Sequence, residues 1–492
     1  MLIDEVLSAN KPGVFKPDVT KPDSPKSAYL QFKIFSFLWA VAILFHMAHS
    51  GIYDTKLIYA LLSLSAIFVM FRPGNFIGFM VLVSLQLYDF VDLMPRVVNH
   101  AIIAGFVNFT IVQALLYLII KHRSFRINKG EWLQIFAPAI RMEVIIVYFY
   151  AVFHKLNSSF LSPDVSCATI LLKAQRLPSI IPLTPDLIAF NGYFTLIVEA
   201  AIPILLSFKK TRHWGILLGV VFHSILSYSS FNGFFDFSSM IFALYFLFAS
   251  PQLSIYITDI LEKTKTRGSF ASIKSSFSFT KLALIIGVTL VGLSGIHILN
   301  KKLSNFDEFH RYFFWAAYSC LYLLFLVGFL FTKKHESKET KLFSLPNWSF
   351  WIFPIIVFLN GLSPYIGLKT DNSYSMFSNL RTEGGISNHY IVPVKAQIFN
   401  FQKDLVEIVS SSDKNLQKEA DSNNLLVFFN FKDYIAMKRP ERVEYIRKGV
   451  SKTFILNNPS THEDLLQRNN VLLRKIFNFR AINKYEPQPC NH

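Results

Sequence analysis

The chain has few charged residues for its length, and this scarcity argues against an ordinary soluble globular protein. Asp, Glu, Lys and Arg make up 16% of the 492 residues, whereas about 25% is usual in soluble domains. Hydrophobic residues account for 52% of the sequence, and the mean hydropathy is +0.37. The charges collect in short stretches between long apolar runs, as in helices that satisfy their own backbone hydrogen bonds within a bilayer. We therefore predict an all-α polytopic helical membrane protein, followed by a small α+β soluble C-terminal domain.

Cysteine is also scarce, which limits the covalent and metal chemistry that the sequence predicts. Cys167, Cys320 and Cys490 are too scattered to indicate a disulfide framework or a cysteine metal site. No metal is expected anywhere in the chain. Residues 1–33 are polar and lack an apolar core, so no cleavable signal peptide is expected either. Because a glycine-rich phosphate loop and internal repeats are absent as well, the apolar runs are the main source of information.

The apolar runs predict about eleven membrane-spanning helices, within two, since a span needs about 20 mainly apolar residues. Several runs are shorter, so pairs of them are also compatible with re-entrant or interfacial helices. The predicted spans are Ile34–Ser50, Leu57–Phe71, Phe76–Leu93, Ile102–Ile120, Phe136–Phe153, Leu187–Phe208, Trp214–Tyr228, Phe237–Ala249, Leu282–Leu299, Tyr312–Phe331 and Phe350–Leu368.

The basic residues predict the orientation of these helices. With the N-terminus inside, the strongly basic loops fall on the inner side, as the positive-inside rule requires. Residues 154–186 and 300–311 are the basic exceptions on the outer side. The net charge of +17 is explained by such loops, so no nucleic-acid partner is expected. The C-terminal part is then predicted to lie on the outer, periplasmic or lumenal, face.

Three parts of the chain differ in composition. Residues 1–30 form a polar N-terminal segment, residues 31–370 the transmembrane domain, and residues 371–492 the soluble outer-face domain. In the last part, Leu425–Phe431 has the length of a strand and Lys432–Lys448 is predicted to be helical. The residues Asn457–Ser460 predict a turn.

Glu199 lies in the middle of the predicted span Leu187–Phe208 and His223 in the middle of Trp214–Tyr228, and an ionisable residue at such a depth is costly and commonly functional. Glu199 lies ten residues before Lys209, and His223 lies eleven residues after Arg212. Both are therefore about 15 Å from the turn that joins their helices. The sequence predicts a Glu199–His223 pair at matching depth, and a purely structural hydrogen bond between the helices is an equal alternative.

A second group of polar residues lies at the predicted outer ends of the helices. Most of these side chains are expected to face headgroups or water, and the His46/His49 spacing alone is weak support for a metal site. Lys155 directly follows an apolar run, so it is either a desolvated base or a lysine that snorkels to the interface. The group comprises His46, His49, Asp89, Asp92, Asn99, His100, His154 and Lys155.

The run that ends at Lys155 carries a resemblance to a known family. Ile145–Leu156 resembles the stretch that ends in the catalytic lysine of the vitamin K-dependent γ-carboxylase family and its bacterial HTTM-domain relatives. Asn99-His100 resembles the family's Asn-His pair, and Glu199 stands where the family has an acidic residue. Phe222-His223, with the aromatic segment after it, resembles the family's Phe-His helix. The segment from Met376 to Gly385, with Ser387-Asn388-His389, is similar to one in bacterial HTTM proteins.

The resemblance covers most of residues 30–390 and implies a reaction. In the carboxylases a lysine amine deprotonates reduced vitamin K, which reacts with O2. The strong base that results removes a γ proton from a substrate glutamate, which then adds CO2. Carried over, Lys155 is the base and His100 assists it, while Asn99, His154, Glu199 and His223 support the site. Arg381, Glu383 and His389 form an outer-face motif.

The same resemblance implies reduced vitamin K or menaquinol, O2 and CO2 as co-reactants. It also implies an exported protein substrate and a bacterial inner membrane as the location. His154 replaces the first lysine of the family's Lys-Lys pair, and the C-terminal part is shorter than in the animal enzymes.

Two function classes follow. One is a quinol-dependent, carboxylase-like lyase or epoxidase. The other is a non-catalytic protein that binds a lipid or quinone, or that scaffolds a partner. A transporter ranks third, because the spans lack broken helices in matching halves.

Overall fold

Helices make up most of the computed structural model, which describes residues 25–50, 56–175, 182–229, 234–266, 307–332, 342–462 and 464–490. The helices up to the end of the apolar part are α1 (Pro25–Ser50), α2 (Leu57–Phe71), α3 (Phe76–Leu93), α4 (Asn99–His122), α5 (Lys129–Phe153), α6 (Cys167–Ala174), α7 (Pro185–Ser207), α8 (Arg212–Leu226), α9 (Phe235–Phe248), α10 (Pro251–Thr266), α11 (Asp307–Leu330) and α12 (Ile352–Ile366).

Seven of the described helices are long and apolar enough to cross a membrane, or up to eight if a bent pair is one span. The bent pair is α9 and α10, which meet at 111°. α2 coincides with a predicted span and α8 overlaps one, but they have 15 residues each, about 22 Å at 1.5 Å per residue. The predicted span Leu282–Leu299 lies outside the described residues. The seven are α1, α3, α4, α5, α7, α11 and α12 with the 3₁₀ turn before it.

α1 is the central helix of this arrangement, and α7 is a peripheral one. In the most apolar stretch of α1, 83% of the residues are buried within the molecule, whereas only 17% are buried in that of α7. α1 packs against α2, α5, α9 and α10. α7 instead exposes Phe190, Phe194 and Ile197, and contiguous apolar surface of this kind marks contact with lipid or protein. The outer surface of the bundle is therefore compatible with membrane insertion.

The turns between the helices separate into a basic end and an opposite end. At the basic end, Lys129 Nζ donates a hydrogen bond to Gly74 O at 2.6 Å, so the α2–α3 and α4–α5 turns lie side by side. At the other end, Asn99 Oδ1 at the start of α4 accepts a hydrogen bond from Tyr374 N at 2.8 Å. The C-terminal part therefore lies at the end of the bundle away from these two basic turns, which agrees with the predicted alternation of α2 to α5.

The C-terminal part contains a five-stranded antiparallel sheet in the order β4-β3-β1-β2-β5. Its core is formed by buried side chains from the sheet and from α14, among them Val406, Ile408, Phe431, Ile435 and Tyr445. The elements are β1 (Leu405–Ser411), α13 (Lys414–Asp421), β2 (Asn424–Val427), α14 (Phe428–Lys438), β3 (Arg442–Arg447), β4 (Val450–Ile455), α15 (Val471–Ile476) and β5 (Ile482–Asn483).

Two secondary-structure predictions in this part are wrong in their bounds. The strand predicted to end at Phe431 ends at Val427, where α14 begins. The helix predicted for Lys432–Lys448 ends at Lys438, because Arg439 has a positive φ of 49° and the next residue is a proline, which cannot continue a helix. The residues after it form β3. The turn predicted at Asn457–Ser460 is confirmed, with Asn458 capping a short 3₁₀ turn.

Cys167 and Cys490 form a disulfide, although the three cysteines are too scattered in the sequence to have indicated a disulfide framework. The two cysteines are 323 residues apart in the sequence. They come together because the C-terminal part folds back on the loop after α5. Asn379 Oδ1 accepts the Cys167 N–H at 2.8 Å, and its amide donates to Gln488 O at 3.0 Å. The side chain of one asparagine thus joins both cysteine segments. Cys320 is free and exposed.

Candidate functional site

A cavity of about 420 Å³ lies among α4, α5, α6, α7, α8 and α9. Small-molecule sites commonly have volumes of about 300–1,000 Å³ and mainly apolar walls with a few convergent polar groups. This cavity has both properties. Its polar wall residues include Asn99, His100, Tyr148, Lys155, Glu199 and His223, and its apolar ones include Ile103, Val144, Val147, Ala151, Phe160, Val198, Phe222 and Phe237.

Lys155 and Glu199 form an ion pair in the wall of this cavity. Lys155 Nζ lies 2.7 Å from Oε1 and 2.5 Å from Oε2 of Glu199. The side chains are 8% and 13% exposed, and the ammonium also lies 5.9 Å from the centre of the Phe160 ring. Sequence reasoning placed both residues at the site but did not pair them. The pair brings an amine and a carboxylate within proton-transfer distance in mainly apolar surroundings.

The backbone that carries Lys155 is fixed by Asn157. α5 ends at Phe153, and the Asn157 amide donates to His154 O at 2.8 Å and to Ser378 O at 2.6 Å. Its Oδ1 accepts from Phe160 N at 2.8 Å. The buried side chain of Asn157 thus closes the turn after α5 and binds that turn to the C-terminal part. These contacts orient Lys155 toward the cavity.

His389 caps the helix that precedes Lys155. Its Nδ1 accepts hydrogen bonds from Ile391 N and Val392 N at 3.1 and 3.0 Å. The proton is therefore on Nε2, which donates to Phe153 O at 2.9 Å. Carbonyls in the last turn of a helix lack partners within it, so His389 satisfies one of them. It does not line the cavity, and its contact with the site passes through the backbone.

Arg381 and Glu383, the other residues of the predicted outer-face motif, are buried. Arg381 Nη1 donates to Glu486 Oε1 at 2.8 Å. Glu383 accepts from Thr382 N at 2.8 Å and lies 3.8 Å from Arg480 Nη2. These contacts hold residues 380–390 against the C-terminal strands, and neither side chain lines the cavity.

His223 contacts a pair of tyrosines instead of Glu199. Its Nε2 lies 2.8 Å from Tyr148 OH, which is also hydrogen-bonded to Tyr245 OH. Its Nδ1 is buried and has no hydrogen-bond partner among the described residues. α7 and α8 are neighbours, as predicted. The predicted Glu199–His223 pair is wrong, because equal depth on two helices does not fix the direction in which each side chain points.

His100 lines the same cavity, but its hydrogen bond is to Asp236. His100 Nε2 lies 3.0 Å from Asp236 Oδ2, and His46 Nδ1 lies 2.8 Å from the same oxygen. His100 was expected to assist Lys155, but its hydrogen bond is to Asp236, although both His100 and Lys155 face the cavity. Asn99 uses its side chain to hold Tyr374, as described above. Asp236 was missed by sequence reasoning, because it lies one residue before the predicted span at Phe237.

His154 points away from the cavity. It is fully buried, its Nδ1 accepts from Tyr365 OH at 2.8 Å, and its Nε2 donates to Ser373 O at 3.0 Å. The ring stacks against Tyr150 and Tyr365. The sequence neighbour of Lys155 is therefore part of the contact between the bundle and the C-terminal part.

Comparison of the chain with protein-family models, with curated proteins and with solved structures finds no match.

Proposed function

We propose that this chain is a membrane enzyme that binds a lipid-soluble quinol in the cavity and uses Lys155 as its acid–base group. The observation that supports this most directly is the Lys155–Glu199 ion pair in the wall of a mainly apolar cavity. An ion pair that is purely structural does not need such a cavity beside it. A catalytic amine does, because its substrate must reach it.

The pair supplies a way to make a neutral amine available. Glu199 lies 2.5–2.7 Å from Lys155 Nζ, so it can accept the Nζ proton and leave a neutral amine beside the cavity. A neutral amine accepts a proton from a hydroxyl group positioned beside it. The wall is mainly apolar, and Tyr148 and His223 offer polar contacts elsewhere in the same cavity.

The residues present fit a reduced quinone of the vitamin K or menaquinol type. The volume of about 420 Å³ is sufficient for a ring system, and Phe160, Phe222 and Phe237 offer aromatic surfaces to it. Such a group, with O2 and CO2, supplies the oxidation and carboxylation chemistry that the family resemblance implies. This chain's part is to bind the ring, hold its hydroxyl group near Nζ and receive the proton.

We also propose that about eleven spans place the C-terminal domain on the outer face of a bacterial inner membrane, where it meets an exported protein substrate. The Cys167–Cys490 disulfide supports this orientation, since disulfides persist in oxidising compartments such as the periplasm. The basic α2–α3 and α4–α5 turns at the opposite end support it too.

A non-catalytic lipid- or quinone-binding protein is the second candidate. One feature of the ion pair favours it. Both carboxylate oxygens of Glu199 already contact Lys155, as in an ion pair whose role is structural. In that case the cavity still binds its ligand, but Lys155 is dispensable for everything except stability.

Quinol epoxidation by purified protein in nanodiscs distinguishes the two. The assay supplies O2 with reduced vitamin K or menaquinol and measures the epoxide. It compares the wild type with Lys155→Ala and with the double variant Lys155→Met/Glu199→Gln, which leaves no buried charge unpaired. Lys173→Ala is the matched control, since Lys173 is exposed on α6 near the same end.

We expect epoxide from the wild type and the control, and a loss of about 100-fold or more in both Lys155 variants. Equal turnover in all four proteins would show that Lys155 is not the base. No epoxide from folded wild-type protein with either quinol would favour the binding protein.

A further inference from the structure

A cluster of two histidines and one aspartate lies beside the cavity, on α1, α4 and α9. We propose that His46, His100 and Asp236 bind a divalent transition-metal ion, although the sequence alone led us to expect no metal. The cluster is independent of the Lys155–Glu199 pair, and the proposal does not depend on the quinol chemistry.

Two of the three donor-atom separations are those of neighbouring ligands on one ion. His46 Nδ1 and His100 Nε2 lie 2.8 and 3.0 Å from Asp236 Oδ2, and the three atoms all lie within 4.8 Å of one another. Ligands at about 2.0–2.2 Å from a common ion stand about 3 Å apart when they occupy neighbouring positions. Two imidazoles and one carboxylate are a donor set used by both zinc and non-haem iron.

The three residues are held by separate, well-packed elements. Asp236 is the second residue of α9, and its side chain is 3% exposed. His46 lies in the last two turns of the central helix α1, and His100 is the second residue of α4. Convergence of side chains from three helices makes the site depend on the tertiary fold, which explains why sequence spacing did not reveal it.

A second, smaller cavity provides room for further ligands of the ion. Its volume is about 40 Å³, and His46, His100 and Asp236 all line it. A water molecule needs about 10–15 Å³ of such space, so one or two waters fit. Asn108 Oδ1, eight residues along α4 from His100 in the same wall, is buried and has no hydrogen-bond partner among the described residues, so this cavity also has a free acceptor for a water molecule.

The charges around this smaller cavity also call for a cation. Asp89 lines it as well as Asp236, and both are buried. Among the described residues, no lysine or arginine lines it. Buried carboxylates are normally paired or coordinate metals, and a divalent ion here would balance both.

The alternative is a cluster held by hydrogen bonds alone, in which Asp236 Oδ2 accepts an N–H from each imidazole. The two arrangements are mutually exclusive at these nitrogens, because a metal ligand needs the lone pair that a donated proton occupies. Bound metal per chain therefore decides between them.

The test is metal stoichiometry of the full chain, purified in detergent with an affinity tag that contains no histidine. The protein is stripped with a chelator, equilibrated with Zn²⁺ or Co²⁺, desalted, and analysed by mass spectrometry for metal. The variants are His46→Ala and Asp236→Asn, the second of which keeps the shape of the side chain. His122→Ala is the matched control, because His122 is an exposed histidine that pairs with Glu131 at the basic end.

We expect about one ion per chain in the wild type and in His122→Ala, and less than about a tenth of that in the other two. Metal should also raise the melting temperature of the wild type but not of Asp236→Asn. A monodisperse size-exclusion profile and an intact Cys167–Cys490 disulfide show that a variant has folded. Metal-free wild-type protein, or equal metal in folded Asp236→Asn, would overturn the proposal. Neither outcome depends on quinol turnover.

Discussion

At the scale of single residues, we expect the Lys155–Glu199 pair to combine the proposed catalytic role with a large effect on stability. Both charged groups are more than four-fifths buried. Breaking such a pair leaves one charge without compensation, whereas replacing both partners with neutral residues of similar shape costs little. The same pair should therefore respond very differently to single and double substitution.

We expect Glu199→Gln to destabilise the protein by about 3–5 kcal/mol, because it leaves the Lys155 ammonium buried without its partner. The double variant Lys155→Met/Glu199→Gln should recover most of this loss. Thermal unfolding in detergent provides the measurement. As a control, Lys121→Met/Glu131→Gln removes an exposed pair and should change stability by less than about 1 kcal/mol. Additive losses in the Lys155/Glu199 double variant would show that the two charges do not depend on each other.

Lys369, just after α12, gives a prediction about pH. Burial lowers the pKa of Lys369 to about 8, although nearby Asp371 favours its charged form. In the unfolded chain its pKa is about 10.4, so between these values the unfolded state binds more protons and stability rises with pH. Below pH 8 the cost of the buried charge is present in full, about 3 kcal/mol.

Lys369→Met should therefore raise the melting temperature at pH 7, and its advantage over the wild type should disappear as the pH approaches 10.4. Melting curves across this range test the prediction. Lys395→Met, at an exposed position in the same part of the chain, should show no such trend. If the advantage of Lys369→Met does not vary with pH, burial of the Lys369 charge is not its cause.

At the scale of elements, the length of an apolar run predicted the helices well, but it did not predict which side chains contact each other. α2 and α3 begin and end at the predicted residues, because Arg72-Pro73-Gly74-Asn75 between them is a strong turn signal. The prediction of a helix as far as Lys448 was wrong, because the residues after Pro440, which form a strand, were interpreted as a continuation of the helix. Short charged segments carry both patterns, and only the sheet contacts of β3 decide between them.

The candidate site was predictable in membership but not in its contacts. Lys155, His100, Asn99, Glu199 and His223 all line one cavity. Their hydrogen-bond partners were not foreseen, since depth along a helix is set by residue count whereas direction around it depends on packing. The disulfide and the His46–Asp236–His100 cluster were not predicted either, because their members come from distant parts of the sequence and meet only in the folded chain.

At the scale of the whole molecule, the two ends of the helix bundle differ in charge and in covalent structure. The basic α2–α3 and α4–α5 turns lie together, and the disulfide-bonded C-terminal part lies at the far end of these helices. The loop between α5 and α7 is basic but contacts the C-terminal part. Its basic charge is thus an exception to the inner-side pattern, as the sequence indicated.

This difference between the two ends predicts the accessibility of introduced cysteines. In a Cys320→Ala background, Lys484→Cys in the C-terminal part should react with a membrane-impermeant maleimide from the outside of intact cells. Arg126→Cys, in the α4–α5 turn, should react only after the membrane is opened. The reverse pattern would show that the protein has the opposite orientation.

The proposed function requires above all that the cavity beside Lys155 holds a lipid-soluble ligand. Equilibrium binding of menaquinone in nanodiscs tests this most directly, using Ala151→Trp to fill the cavity. Phe149→Trp is the matched control, since Phe149 lies on the same helix but is exposed on its outer surface. We predict about one quinone per chain for the wild type and the control, and binding at least about tenfold weaker in Ala151→Trp. Undiminished binding by folded Ala151→Trp would contradict a quinone site in this cavity.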